Sequence, residues 1–242
     1  MQERSLIVNA DDFGLSPGVN AGVARTHEQG ILTSASLMVR PPAAAEAATY
    51  ARATPALALG LHVDLGEWTQ RDGQWVAVYE VVPLDEHGLG AVQAEVEAQL
   101  DRFRELTGRD PTHLDSHQHV HSWPPVAEMF MRMALDMGVP LRHHVGGIRY
   151  CGDLYGRDSE GKPIPEAISA EALVDIIRSL EPGVTELACH PGLGADAGSA
   201  YDVEREQEVE VLCHPRVAAA LHSEGVALRS FADIASSGSG AR

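Results

Sequence analysis

Short apolar segments alternate with longer segments of helical periodicity along most of this chain. A short apolar run bounded by glycine, proline or polar residues is typical of a strand buried on both faces. On this basis we predict seven buried strands, at residues 5–10, 32–39, 57–65, from about 112, 139–144, 185–189 and 226–230.

The segments between these strands carry the periodicity and the end signals of helices. In the first of them Ser16 precedes Pro17 and Gly30 closes the pattern, which predicts an N-cap, a first helical position and a stop. Apolar residues recur every three or four positions in the segment that Gly108 closes. The predicted helices are 17–30, 42–53, 91–108, 125–137, 173–180 and 203–224, the last of them broken at Pro215.

Strands that alternate with helices predict a parallel sheet covered by helices. With about seven strands in 242 residues, a TIM-like α/β barrel is the predicted fold, formed by one domain of residues 1–235. Residues 66–89 and 145–168 are predicted to be irregular loops over the rim, where parallel barrels hold their chemistry. The Gly- and Ser-rich residues 236–242 are predicted to be a disordered tail.

The composition excludes several classes of partner. Eighteen basic and thirty-five acidic residues give a formal net charge of −17, which opposes binding to nucleic acid or to an anionic membrane surface. We recognise no secretory leader and no apolar stretch long enough to span a bilayer. The three cysteines lie far apart, which predicts neither a disulfide framework nor a thiolate zinc site and favours the cytoplasm.

Two adjacent carboxylates, Asp11 and Asp12, directly follow the first predicted strand, so their mutual repulsion calls for a compensating cation. His62 lies near the end of the third strand, His117 near the end of the fourth and His190 just after the sixth. Because parallel strands end at one edge of a sheet, we expect these side chains to converge. One carboxylate and two imidazoles suit a divalent cation used for hydrolysis, and the second carboxylate can act as a general base.

Twelve histidines occur in the chain, and one segment alternates five ligand-type side chains, His113, Asp115, His117, His119 and His121. An extended backbone would place all five on one face. At about 3.3 Å per residue the first and last would lie about 26 Å apart, so one ion can take only one or two of them. The other residues of the segment either form hydrogen bonds with the ligands, contact the substrate, or are exposed after the strand ends.

The segments LIVNADDFGLSPGVN, TSASLMV, LGLHVDL, THLDSHQHVH and ELACHPG occur in this order. Together they resemble the YdjC/ChbG family of carbohydrate deacetylases, divergent relatives of the polysaccharide deacetylases, over residues 6 to about 234. The resemblance implies a distorted (β/α) barrel with one metal ion, usually magnesium, that removes the acetyl group from N-acetylated amino sugars. It implies a small-molecule carbohydrate as partner and is compatible with a homodimer.

Carried over onto this sequence, the resemblance implies Asp12, His62 and His117 as the metal ligands. It implies Asp11 as the catalytic base and His190 as the general acid. By ligand softness, imidazoles with a carboxylate suit zinc at least as well as magnesium. Arg142 either anchors a carboxylate of the site or a substrate oxygen, or forms a structural ion pair.

Two other functions stay open on the sequence alone. One is a metal-dependent hydrolase of another bond, such as a phosphoester or a cyclic amide, and the other is a non-catalytic protein that binds metal or sugar. Phosphoester chemistry favours basic phosphate clamps or a two-metal site, and the sequence shows neither clearly. The stretch between His62 and His113 is shorter than in members that act on chitooligosaccharides, so the size of the sugar is not predicted.

Overall fold

The computed structural model describes residues 3–71, 73–84, 88–124, 126–158, 161–194 and 201–238. Its strands are β1 (Arg4–Phe13), β2 (Ser34–Leu37), β3 (Ala58–Val63), β4 (Gly66–Arg71), β5 (Gln74–Glu80), β6 (Leu114–Ser116), β7 (Arg149–Cys151), β8 (Gly183–Cys189) and β9 (Val226–Arg229). Its α-helices are α1 (Pro17–Gln29), α2 (Ala44–Ala53), α3 (Leu89–Thr107), α4 (Ala127–Met137), α5 (Ala170–Ser179), α6 (Asp202–Leu212), α7 (Pro215–Glu224) and α8 (Phe231–Gly238). Short 3₁₀ helices cover His117–Ser122 and Pro165–Ala167.

One parallel sheet organises the fold. Its strand order is β6-β3-β2-β1-β8-β7, and β9 also pairs with β1. The ten-residue β1 is long enough to hold three neighbours, since β8 pairs along Arg4–Ala10 while β9 and β2 pair with the first and last parts of the strand. This curled parallel sheet covered by helices confirms the distorted (β/α) barrel.

The core lies between the sheet and the helices. Every residue of β1 after Arg4 is buried, as are all residues of β2 and β3, as expected for strands covered on both faces. Helix α1 begins and ends as predicted: the Ser16 side chain accepts from the Val19 N–H, Pro17 is the first residue, and Gly30 is the C-cap. Local capping signals therefore set this helix correctly.

The structure corrects the predicted strand at residues 139–144. Only Leu141 forms bridges there, one parallel to Leu114 and one antiparallel to Val145. Pro140 has no N–H to donate, and the chain turns after Leu141 so that His143 adopts a φ of 67°. The sheet position beside β8 is taken instead by β7, which lies inside the predicted loop 145–168.

Two other segments also depart from the prediction. The predicted loop 66–89 contains the antiparallel hairpin β4–β5, which pairs outside the main sheet. Helix α8 includes residues 236–238, the first part of the predicted disordered tail, and residues 239–242 lie outside the described part of the chain. Among the helices that the structure describes, none is both long and apolar enough to cross a membrane.

Gly60 of β3 provides a test of the sheet packing. A Cβ at this position would lie 2.4 Å from His113 Nε2, and the His113 ring is stacked on Phe231 at 3.7 Å between ring centroids. We expect Gly60→Ala to displace this ring and to lower the free energy of unfolding by about 1–3 kcal/mol. Thermal and urea unfolding measure the change.

The matched control is Gly90→Ala near the start of α3, where an added Cβ meets nothing within 4 Å. We expect this variant to be stabilised by about 0.4–1 kcal/mol, because alanine restricts the unfolded chain. Equal stability changes in the two variants would contradict the packing described for Gly60.

Candidate metal centre

The polar side chains of the candidate site come from the carboxyl ends of neighbouring strands. Asp11 and Asp12 lie in β1 and His62 in β3, while His117 directly follows β6 and His190 directly follows β8. Because these strands are parallel, their ends meet at one edge of the sheet, where open α/β sheets hold their ligands. The five residues predicted from the sequence are therefore brought together.

An irregularity in β1 brings both carboxylates to the same site. The pairing of β1 with β2 shifts register between Ala10 and Phe13, and Asp12 adopts a φ of 62°. Successive residues of a regular strand point to opposite faces, so an unbroken strand would separate Asp11 from Asp12. The left-handed backbone at Asp12 is a strained conformation of the kind that occurs at functional sites.

Asp12, His62 and His117 form a set of metal-ligand type. Asp12 Oδ1 lies 3.3 Å from His62 Nε2 and 3.1 Å from His117 Nδ1, and the three ligand atoms all lie within 4.8 Å of one another. Two imidazole nitrogens and one carboxylate oxygen are the donors of many catalytic metal sites, which leave further positions for water or substrate. The residues present therefore fit a divalent cation.

Asp115 fixes the orientation of His62. His62 Nδ1 lies 2.7 Å from Asp115 Oδ1, so that the other ring nitrogen, Nε2, faces Asp12. A ligating histidine commonly donates its second N–H to a carboxylate in this way. Burial by itself disfavours the imidazolium, but Asp115, Asp12 and Asp11 together outweigh it and raise the pKa of His62 to about 10. Asp115, whose role the sequence left open, is thus an outer partner of the metal set.

Arg142 holds the second carboxylate of the pair. Its Nη1 and Nη2 donate to Asp11 Oδ2 and Oδ1, both at 2.7 Å, and it also donates to Glu186 Oε1. Burial alone would raise the pKa of Asp11, but the Arg142 charge and hydrogen bonds leave that pKa below its usual value. Asp11 is therefore ionised, and Arg142 takes the carboxylate-anchoring role among those considered from the sequence.

His190 lies on the other side of Asp11. Its Nε2 is 4.0 Å from Asp11 Oδ2, and its backbone N–H donates to Glu208. The loop after β8 packs directly against α1. A Cβ at Gly22 would lie only 2.5 Å from the Gly192 backbone. Burial lowers the pKa of His190 to about 4, so its imidazole is neutral at neutral pH and can accept a proton.

The remaining histidines of the alternating segment do not share one face. The strand ends at Ser116, and the next residues turn into a 3₁₀ helix in which Gln118 and His119 have positive φ. His113 Nε2 contacts the Ser36 hydroxyl at 2.9 Å, and His121 contacts the Ser116 hydroxyl at 2.7 Å. The common face that a continued strand would give is therefore lost after Ser116, where the extended backbone ends.

A cleft of about 600 Å³ adjoins the metal centre. A smaller pocket of about 130 Å³ lies at the metal set itself, and the two share His119, Tyr155 and His190 as lining residues. His119 Nε2 lies 3.2 Å from the Tyr150 hydroxyl, and burial lowers the pKa of His119 to about 4. Neutral hydrogen-bonding and aromatic groups therefore line the cleft beside the centre.

Sequence reasoning did not find the residues that α6 contributes. Arg205 Nη2 donates to Asp12 Oδ2 at 2.6 Å, and Glu208 accepts from the Tyr201 hydroxyl at 2.6 Å. Both α6 residues are buried, although their helix has the mixed polar sequence of a solvated one. No periodic or motif signal in the sequence marks these two residues. The partner of Arg205, Asp12, lies almost two hundred residues away in the chain.

Comparison with known proteins identifies the family of the chain. The profile of the YdjC-like protein family matches residues 5–223. The chain belongs to this family. A chitooligosaccharide deacetylase from Salmonella schwarzengrund is 36% identical over 96% of this chain and 100% of its own length. The resemblance found in the sequence motifs is thereby confirmed.

Solved structures show the same fold. A putative cellobiose-phosphate cleavage protein from Enterococcus faecalis is similar with a TM-score of 0.77 and 27% identity, over 96% of this chain and 99% of that one. A family 4 carbohydrate esterase from Streptomyces lividans, in complex with acetate, has a TM-score of 0.54 at 13% identity, over 94% and 93% of the two chains. The latter likeness concerns the fold alone.

Replacing a ligand residue tests the metal set. We expect His62→Gln to weaken the binding of a divalent cation by more than about 100-fold, because even outer partners of metal ligands contribute 10–100-fold. Isothermal titration with Zn²⁺ and with Mg²⁺ measures the affinity. The control is His222→Gln on the exposed face of α7, which should bind as the unchanged protein does. Unchanged affinity in His62→Gln would exclude this site.

Proposed function

We propose that the protein is a metal-dependent carbohydrate deacetylase that removes the acetyl group from N-acetylated amino sugars. The observation that carries this proposal is the position of the ionised Asp11 between the metal set and His190. Deacetylation needs a base for the attacking water and an acid for the departing amine. The names of the curated relatives support the same reaction for this chain.

Asp12, His62 and His117 would hold the cation in this proposal. A divalent cation supplies Lewis-acid polarisation of the acetyl carbonyl and lowers the pKa of water. The resemblance to the family implies magnesium, whereas two imidazoles and one carboxylate suit zinc at least as well. The paired titrations with Zn²⁺ and Mg²⁺ therefore also compare the two cations at this site.

The protein groups then move one proton from water to the leaving nitrogen. Asp11, oriented by Arg142, takes a proton from the water as its oxygen bonds to the acetyl carbon. Asp11 Oδ2 lies 4.0 Å from His190 Nε2, and the neutral imidazole can receive this proton. His190 then donates it to the amide nitrogen as the carbon–nitrogen bond breaks, which yields acetic acid and the free amine.

The cleft beside the metal centre supports a sugar as the substrate. It is lined by Tyr150, Tyr155 and Asp153, which combine apolar ring surface with groups that can bind hydroxyls. Among the described residues that line the metal pocket, the only arginine is Arg205, which is paired with Asp12. This arrangement gives less support to phosphoester hydrolysis, which favours unpaired basic clamps.

We also propose that the protein is located in the cytoplasm. Cys151, Cys189 and Cys213 are all unpaired thiols, which agrees with a reducing compartment. A homodimer is not needed to complete the site, since every residue invoked here comes from one chain.

Replacing Asp11 separates the enzyme from a binding protein. We expect Asp11→Asn to retain the metal but to lower the turnover of an N-acetylated amino sugar by about 10²–10⁴-fold, because the base is lost. Acetate release measures turnover, and titration measures the bound metal. The control is Asp175→Asn on the surface of α5, a residue that is exposed and paired with Arg178. Full turnover in Asp11→Asn would refute the assigned base.

Replacing His190 tests the assigned acid through the leaving group. We expect His190→Gln to lower the turnover of the N-acetylated sugar by about 10²–10⁴-fold, because an amine leaves only when protonated. Hydrolysis of 4-nitrophenyl acetate should change much less, since nitrophenolate needs no proton to depart. Asp11→Asn should slow both reactions. An equal loss on both substrates in His190→Gln would contradict the role of acid.

A further inference from the structure

The three tryptophans of the chain lie close to the β4–β5 hairpin. Trp68 and Trp75 belong to the hairpin itself, and Trp123 follows the 3₁₀ helix that begins at His117. The Trp68 and Trp123 rings are in contact, with 5.2 Å between centroids and an interplanar angle of 54°. Trp123 is 39% exposed, while Trp68 packs partly against the core. We call Trp68 and Trp123 the tryptophan pair.

Gln118 ties the tryptophan pair to the metal centre. The Gln118 side chain accepts a hydrogen bond from the backbone N–H of Trp68 at 2.8 Å and donates one to the backbone carbonyl of Trp68 at 2.9 Å. Gln118 directly follows the metal-ligand residue His117, and both Gln118 and Glu67 line the pocket at the metal set. Glu67, which precedes Trp68 in the chain, and Gln118 thus connect the tryptophan pair to this pocket.

The backbone around the pair is adapted to this position. Gly66 has a φ of 142°, and a Cβ there would lie 2.7 Å from the Trp68 ring, so only glycine allows the ring to lie over it. Gln118 adopts a φ of 50°, which is strained for a residue with a side chain. A conformation that favours glycine and a strained one thus hold the pair, of which Trp123 is exposed, next to residues that line the metal pocket.

A sugar ring matches this surface chemically. One face of a pyranose presents C–H groups, which are attracted to the electron-rich face of an indole, while the hydroxyls at its edge need polar partners. Glu67 and Gln118, next to the pair, supply a carboxylate and an amide.

We propose that Trp68 and Trp123 form a sugar-stacking subsite that binds a second sugar residue of the substrate, next to the one that loses its acetyl group. This inference rests on the proposed deacetylase function. Glu67 and Gln118 line the metal pocket on the side of the hairpin, so a sugar chain that leaves the pocket past them can reach the tryptophan pair. The pair then determines the preference for an oligosaccharide over a monosaccharide.

Steady-state kinetics of Trp123→Ala test the subsite. We expect KM for a β-linked disaccharide of N-acetylglucosamine to rise about three- to tenfold, with kcat unchanged, because one aromatic contact is lost. Both constants for monomeric N-acetylglucosamine should stay the same. Trp123→Phe should keep most of the affinity. The matched control is Trp75→Ala, since Trp75 is 65% exposed on the same hairpin and outside the pair.

A binding measurement separates this inference from the function on which it rests. Titration of the full chain with the β-linked disaccharide of glucosamine, the deacetylated product, should change the tryptophan fluorescence and should do so far less in Trp123→Ala. Equal KM changes for monosaccharide and disaccharide, or none for either, would overturn the subsite. The subsite would also be overturned if sedimentation showed a dimer that dissociates in Trp123→Ala, because the pair would then belong to an interface between two copies. Failure to release acetate from any sugar would count against the deacetylase, while the titration would still test the subsite.

Discussion

The buried guanidinium of Arg142 is the interaction on which the rest of the site depends. It donates to both oxygens of Asp11 and to Glu186, and it lies 3.0 Å from Asp115 Oδ2. Burial opposes its charge, but the three carboxylates outweigh this and hold the pKa of Arg142 well above its ordinary value. A buried charge without a partner costs several kcal/mol, so these carboxylates can occupy the sheet edge only with Arg142 among them.

Sequence-based prediction of the fold succeeded where the signal is local, and it failed at Arg142, where the chain conformation depends on a distant contact. Helix α1 was predicted to the residue, because Ser16, Pro17 and Gly30 are local signals. Residues 139–144 have the apolar pattern of a strand, yet the chain turns after Leu141 and directs Arg142 into the carboxylates. Such a turn follows from a contact across 131 residues, which no local pattern contains.

The same distinction applies to the site. Asp12, His62 and His117 could be predicted as neighbours because each lies at the end of a parallel strand, and strand ends follow from apolar periodicity. Arg205 could not, because it lies on α6 and meets Asp12 only through the tertiary fold. The left-handed turn after β6, which takes His119 away from the metal set, was hidden by the alternating histidines.

The adjacent carboxylates at the end of β1 are compensated separately. Asp11 pairs with Arg142 and Asp12 with Arg205, so both are ionised although they are neighbours in the chain. His62, whose pKa is raised to about 10 by Asp115, Asp12 and Asp11 together, adds a positive charge beside Asp12. A divalent cation held by Asp12 and His62 would displace the His62 proton, so the charge of the cluster would rise by one unit rather than two. The buried cluster is thus close to balance with or without the ion, which lets one site be both stable in the fold and open to a metal.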